Sequence, residues 1–221
     1  MIPLYDTVRS RRIPIFNWMI VGLNVLVFLY ELKLGGAGLE GFIRAWALIP
    51  NRLMSDPQVA WVTMFTSMFL HGGWFHLVSN MWVLLIFGDN IEDRLGGIQY
   101  LFFYLFSGLA AALLQTYILQ GSNQPMIGAS GAIAGVLGAY LILFPYARIA
   151  SLVPIFFIFT IIEIPATIFL LFWFVSQLFS GWLALQGGGS SGIAWWAHIG
   201  GFLYGLVFVR MFAPRRFTRS W

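Results

Sequence analysis

An all-α membrane protein is what these 221 residues predict: a bundle of six transmembrane helices with the N- and C-termini cytoplasmic. Three observations carry that expectation. Hydrophobic residues make up 60% of the chain and charged ones only 9%, whereas a soluble domain carries about 25% charged residues. Apolar runs recur from end to end, at lengths near the roughly 20 residues a helix needs to cross the hydrocarbon. Basic residues gather at both ends, with Arg9, Arg11 and Arg12 before the first run and Arg210, Arg215, Arg216 and Arg219 after the last. That is the usual mark of cytoplasmic flanks, and it argues against reading the net charge of +4 as a nucleic-acid surface. Lacking cysteine, the chain has neither a disulfide framework nor a thiolate metal site.

The runs follow in order. After a short N-terminal segment, 1–12, the first span covers 13–32; Asn17 and Asn24 interrupt it, and Glu31 is expected at the margin of the first loop. No small-residue cleavage site follows the span, so it reads as retained. A mixed loop containing Lys33, Glu40, Arg44, Arg52 and Asp56 leads to span two, 74–87, which a polar turn at 88–94 ends. Span three covers 98–119, residues 121–125 form a short loop, and span four covers 130–144. The stretch 150–185 is too long for one span and is broken by Pro154, Glu163 and Pro165. Two spans there would make seven and set the basic C-terminus opposite the basic N-terminus, which the positive-inside rule disfavours. Residues 151–164 are therefore expected as a partly embedded loop and 166–185 as span five. Span six covers 195–213, and a basic tail, 214–221, follows. A single transmembrane domain then occupies 1–221, with nine of the twelve basic residues cytoplasmic.

This topology has a chemical consequence. Spans two, four and six all run inward from the outer face. Ser130 opens span four, His198 lies near the start of span six, and His76 and Asn80 lie near the start of span two. The candidate reactive groups thus share one depth, below the outer surface. Polar and ionisable side chains within spans are costly and mark function by default. Gly131 and Gly135 bare one face of span four, and Gly201 and Gly205 share the face of His198. Small residues at such spacing let helix backbones approach closely, which would bring the Ser130 hydroxyl to the His198 imidazole.

Each residue also has a plainer reading. Gly-Ala-Ser-Gly is a common helix-packing pattern, and a lone histidine in a span is more often a hydrogen-bonded structural residue. His76 and Asn80, four apart, could simply bond a neighbouring helix. Their coincidence at one depth is what favours a nucleophile and its base. A metal-dependent enzyme or transporter using His71, His76 and His198 is a rival class. No carboxylate is expected beside those rings, and positions 71 and 76 share no helical face, so His71 reads as structural.

At these residues the chain resembles the rhomboid family of intramembrane serine proteases. The matching pieces are His-Gly-Gly-Trp-Phe-His-Leu-Val-Ser-Asn at 71–80, Gly-Ala-Ser-Gly at 128–131 and Ala-His-Ile-Gly-Gly at 197–201. They come in the family's order, within a chain of the bacterial six-span type. The resemblance implies Ser130 as nucleophile, His198 as base, His76 and Asn80 as oxyanion-stabilising side chains, and a structural role for Glu92. It implies no cofactor and no metal. It also implies an endopeptidase of the lipid bilayer, cutting transmembrane segments of single-span membrane proteins at small residues with helix-weakening residues beyond them. A multi-pass protein of a cell membrane, the bacterial inner or plasma membrane, would follow, with no nucleic-acid partner. The alternative is a non-catalytic rhomboid-like protein that binds membrane clients, although a pure binder needs neither Ser130 nor His198. In one respect the chain departs from the family. Some members place an aromatic four residues after the serine, stacked on the histidine, and here that position is Ala134. Another group, such as an aromatic from another span, must then hold the imidazole. No acidic residue is expected at the depth of His198, so the site reads as a Ser–His dyad. Gln115, Ser122, Asn123 and Gln124 are candidates to line a route for water.

Overall fold

The computed structural model describes residues 1–155, 158–187 and 192–213, and the basic tail with Arg215, Arg216 and Arg219 lies outside the described residues. The chain opens with strand β1 (Ile2–Asp6) and helix α1 (Ile15–Leu34). Short helices α2 (Gly36–Trp46), α3 (Pro50–Ser55), α4 (Pro57–Ala60) and α5 (Thr63–Thr66) follow, with a 3₁₀ turn at Ser67–Phe69. Then come α6 (Trp74–Leu95), α7 (Gly97–Ile118) and α8 (Ser130–Leu143), the strands β2 (Arg148–Ile155) and β3 (Ile158–Pro165), and finally α9 (Ala166–Leu185) and α10 (Trp195–Phe212).

Among the described residues, α1, α7 and α9 are each long and apolar enough to cross a membrane. A fourth candidate joins α5 and the 3₁₀ turn to α6 across a 96° bend. The protein is therefore a mostly helical, multi-pass membrane protein. Helix α8 has only 14 residues, and every residue from Gly131 to Tyr140 is buried. It packs on α6, α7, α9 and α10, so it is enclosed by protein and not by lipid. A helix apolar on all sides belongs in such a place.

The contact of α8 with α10 is one of backbone on backbone. A methyl group at Gly201 would run into the Gly131 carbonyl, one at Gly205 into the Gly135 carbonyl, and one at Gly138 into the Phe202 carbonyl. The small residues noted in the sequence thus set the spacing of these two helices.

Two sequence expectations are corrected. Residues 88–94 are not a turn, because α6 continues to Leu95. Its polar residues stay helical because they have partners. The Glu92 carboxylate accepts the N–H groups of Phe16 and Asn17 at 3.1 and 2.7 Å. Those are first-turn donors of α1, which have no partner inside their own helix and lie at its positive end.

The second correction concerns 151–164. Its described residues, 151–155 and 158–164, are not a loop but parts of two antiparallel strands, and the molecule is not all-α. β1, β2 and β3 form a three-stranded antiparallel sheet in that order. Ile2 faces Leu152 and Asp6 faces Ile149 across the first pair, while Arg148 faces Pro165 and Ile155 faces Ile158 across the second. The run is rich in isoleucine and other β-branched or aromatic residues, which suit a pleated surface. An apolar run of that kind is hard to tell from membrane sequence by periodicity.

β1 is held against the helices. The Trp82 indole donates to the Pro3 carbonyl at 2.6 Å, and the Asp6 carboxylate accepts from the Asn90 amide at 2.8 Å and from the Tyr140 hydroxyl. Burial raises the Asp6 pKa to about 6; the bond from Tyr140 opposes the rise and the nearby Asp89 charge adds to it. A folded value above the unfolded one means that folding favours the neutral acid. That contribution is complete below the ordinary carboxylate value near 4 and is lost as pH rises through about 6. Between pH 5 and pH 7 wild type should therefore lose more thermal stability in detergent than Asp6→Asn, which cannot ionise. Equal losses in the two proteins would remove Asp6 from the account.

Candidate active site

Three helix N-termini meet at one end of the bundle. Ser130 is the first residue of α8, His198 lies in the first turn of α10, and His76 and Asn80 lie in the first two turns of α6. The Ser130 Oγ and His198 Nε2 are 2.8 Å apart. A hydroxyl and an imidazole nitrogen at that separation lie within the roughly 2.6–3.2 Å that proton abstraction requires. The geometry follows from glycine. With Gly201 and Gly205 seated on the carbonyls of Gly131 and Gly135, the side chains next to those glycines are brought within bonding distance.

His76 and Asn80 approach the same place through Gly128. This residue has φ +117°, a conformation that side chains rarely adopt, and a methyl group there would lie 2.6 Å from His76 Nε2 and 3.8 Å from Asn80 Nδ2. Only glycine leaves both side chains facing the backbone just before Ser130. Asn80 is buried, and its amide nitrogen has no hydrogen-bond partner. Buried donors are nearly always paired, so an unpaired one facing the backbone just before Ser130 is notable. The Gly72 N–H donates to His76 Nδ1 at 3.4 Å.

His71 is buried beside His76, with ring centroids 5.0 Å apart. Its backbone N–H donates to both oxygens of Glu31, at 3.2 and 3.3 Å. Glu31 was expected at the margin of the first loop and is instead buried within α1. Its carboxylate anchors the turn that precedes α6.

Two side chains support the imidazole. His198 Nδ1 lies 2.8 Å from Gln177 Oε1, and the Trp173 ring lies 6.0 Å from the imidazole at 33°. Both belong to α9. The signal for Gln177 was a strongly polar side chain within an apolar run, the kind of signal that picked out His76 and Asn80. A cavity of about 550 Å³ borders the site at His76 and is lined also by Gln115, Ser122, Gln124, Trp195 and Trp196. Of the side chains proposed to line a water route, Asn123 is absent from this lining and instead accepts from Asn51 at 3.0 Å.

Residues 58–215 match the family described as Rhomboid domain. The chain is 33% identical over 129 residues to the rhomboid protease GluP of Bacillus subtilis, covering 58% of this chain and 24% of that protein. It is 29% identical over 138 residues to Rhomboid protein 1, mitochondrial, of Saccharomyces cerevisiae, covering 60% and 37%. It is 42% identical over 78 residues to RHOMBOID-like protein 6, mitochondrial, of Arabidopsis thaliana, covering 35% and 25%. The matched stretches thus span a quarter to somewhat over a third of these relatives. Their names include bacterial and mitochondrial proteins, so the likeness indicates a membrane protein without assigning its compartment. The match runs from before the turn that carries His71 to beyond the end of α10, across all three motif-bearing segments, and the chain belongs to the rhomboid family.

Proposed function

We propose that this protein is an intramembrane serine endopeptidase that cuts transmembrane segments of single-span membrane proteins, with Ser130 as nucleophile and His198 as base. The observation that carries the reading is the 2.8 Å approach of His198 Nε2 to Ser130 Oγ. An alkyl hydroxyl is a weak nucleophile and needs such a base. As Oγ attacks the scissile carbonyl, His198 takes its proton and later returns it to the leaving amine. The developing oxyanion is met by the Asn80 amide, the His76 ring N–H and the Ser130 backbone N–H at the positive end of α8. The unpaired Asn80 Nδ2 supports that role, since its partner would arrive only with the substrate.

The whole chain, 1–221, acts as one transmembrane domain. α1, α6, α7, α8, α9 and α10 serve as six spans, with both termini cytoplasmic and the site toward the outer face. A bacterial plasma membrane suits this six-span type and the likeness to GluP. Water reaches the site through the cavity beside Gln115, and a substrate helix must unwind locally to expose its carbonyls. Catalysis is favoured over client binding by the pairing of a hydroxyl with an imidazole, which binding alone does not require.

Purified protein should react with a fluorophosphonate probe at Ser130, and His198→Ala should abolish that labelling. A wild-type protein that stays unlabelled and cleaves none of a panel of single-span substrates would favour the client-binding reading. Asn80→Ala should lower kcat by about a hundredfold with little change in KM, as expected for loss of one oxyanion donor. A change confined to KM would make Asn80 a substrate-binding residue instead.

A further inference from the structure

For His198 Nε2 to take the Ser130 proton, that nitrogen must carry the lone pair, and Nδ1 must carry the hydrogen. Which nitrogen is protonated is set by the bond the other makes. The partner of Nδ1 at 2.8 Å is the Gln177 side chain. A carboxamide can present either its oxygen or its nitrogen, so the remaining bonds of Gln177 decide. Its Nε2 donates to the Ser176 hydroxyl at 3.0 Å and to the Trp173 carbonyl at 3.3 Å. The two N–H donors are thereby engaged within α9, and the oxygen is the atom left to face the imidazole. Gln177 is buried and cannot readily exchange this partner for water.

We infer that Gln177 is a positioning residue that fixes the tautomer and ring orientation of His198 by accepting its Nδ1–H, completing an uncharged Ser–His–Gln array. This rests on the reading of Ser130 and His198 as nucleophile and base, and it modifies that reading, because the pair is not without a third member. The third member is neutral. In soluble serine proteases a buried aspartate does this work. A carboxylate at this depth would be costly to bury, whereas an amide oxygen accepts the same N–H without a net charge. The Trp173 ring, one turn earlier on α9, flanks the imidazole where Ala134 offers no ring.

The test compares Gln177→Met, of similar length but with no acceptor oxygen, with Gln177→Glu, which restores one. Kinetics on a single-span substrate should show Gln177→Met losing about a hundredfold in kcat with KM within twofold. Fluorophosphonate labelling of Ser130 should slow in parallel, at unchanged Tm. Gln177→Glu should recover most of the rate and move the acid limb of the pH profile upward, since a carboxylate favours the charged imidazole. Wild-type kcat and labelling in Gln177→Met, with Ser130→Ala inactive, would overturn the positioning role alone. Equal rate loss in both variants with a lowered Tm would overturn it as well, by showing a packing role. Cleavage persisting in Ser130→Ala would overturn the underlying protease reading and this inference with it.

Discussion

Ser130→Ala is expected to abolish proteolysis while the protein remains folded. Removal of the nucleophile from a serine protease costs about 10⁶ in kcat, which takes any intramembrane cleavage below detection. Folding should be spared, because an alanine at the first position of α8 keeps the Cβ and loses only the hydroxyl. The hydroxyl's recorded bond is to His198 Nε2. The measurement is cleavage of a single-span substrate by purified variant and wild type at matched Tm. Retained activity would move the chemistry away from Ser130.

Gly201→Ala should have the largest effect on folding. The added methyl would meet the Gly131 carbonyl head on and lie 3.0 Å from its carbon and 3.3 Å from the Gly135 nitrogen. Those atoms are backbone and cannot rotate away, so α8 and α10 must separate. Overpacking of this kind costs about 3 kcal/mol, and separation also pulls Ser130 from His198. A sharp fall in Tm together with loss of cleavage is the expected result. Gly22→Ala is the control, since a methyl group there meets nothing within 4 Å. Similar stability of the two variants would mean that α8 and α10 have room to adjust.

Much of the arrangement was legible because lipid limits the choices. With apolar runs that must be helices, counting them and matching basic flanks led directly to Ser130, His198, His76 and Asn80 at one end. The bounds of spans one and three came within a few residues, 13–32 against Ile15–Leu34 and 98–119 against Gly97–Ile118, whereas span two, expected to end at 87, continues to Leu95. What escaped was non-local. Glu92 reads as part of a polar turn until α1 is placed with its N-terminus on that carboxylate. The sheet was hidden because β2 has a partner in residues 2–6, which alone read as part of a short N-terminal segment before the first span. Gln177 was visible as a polar residue in a span, but only the packing of α9 on α10 shows what it faces.

The strand order also bears on how the molecule is made. β1 precedes every helix in the chain, yet the strand it pairs with lies beyond α8, and Tyr140, which bonds Asp6, is 134 residues away. At translation rates of about 5–20 residues per second, β1 waits roughly 7–29 s for those partners. During that interval its backbone groups are hydrated, and the helices from α1 to α8 emerge without the clasp. β2 and β3 are neighbours in sequence and can pair as soon as both exist. β1 then adds to a preformed edge, which makes its docking the late, long-range step of assembly and the one most exposed to interference from anything fused ahead of Met1.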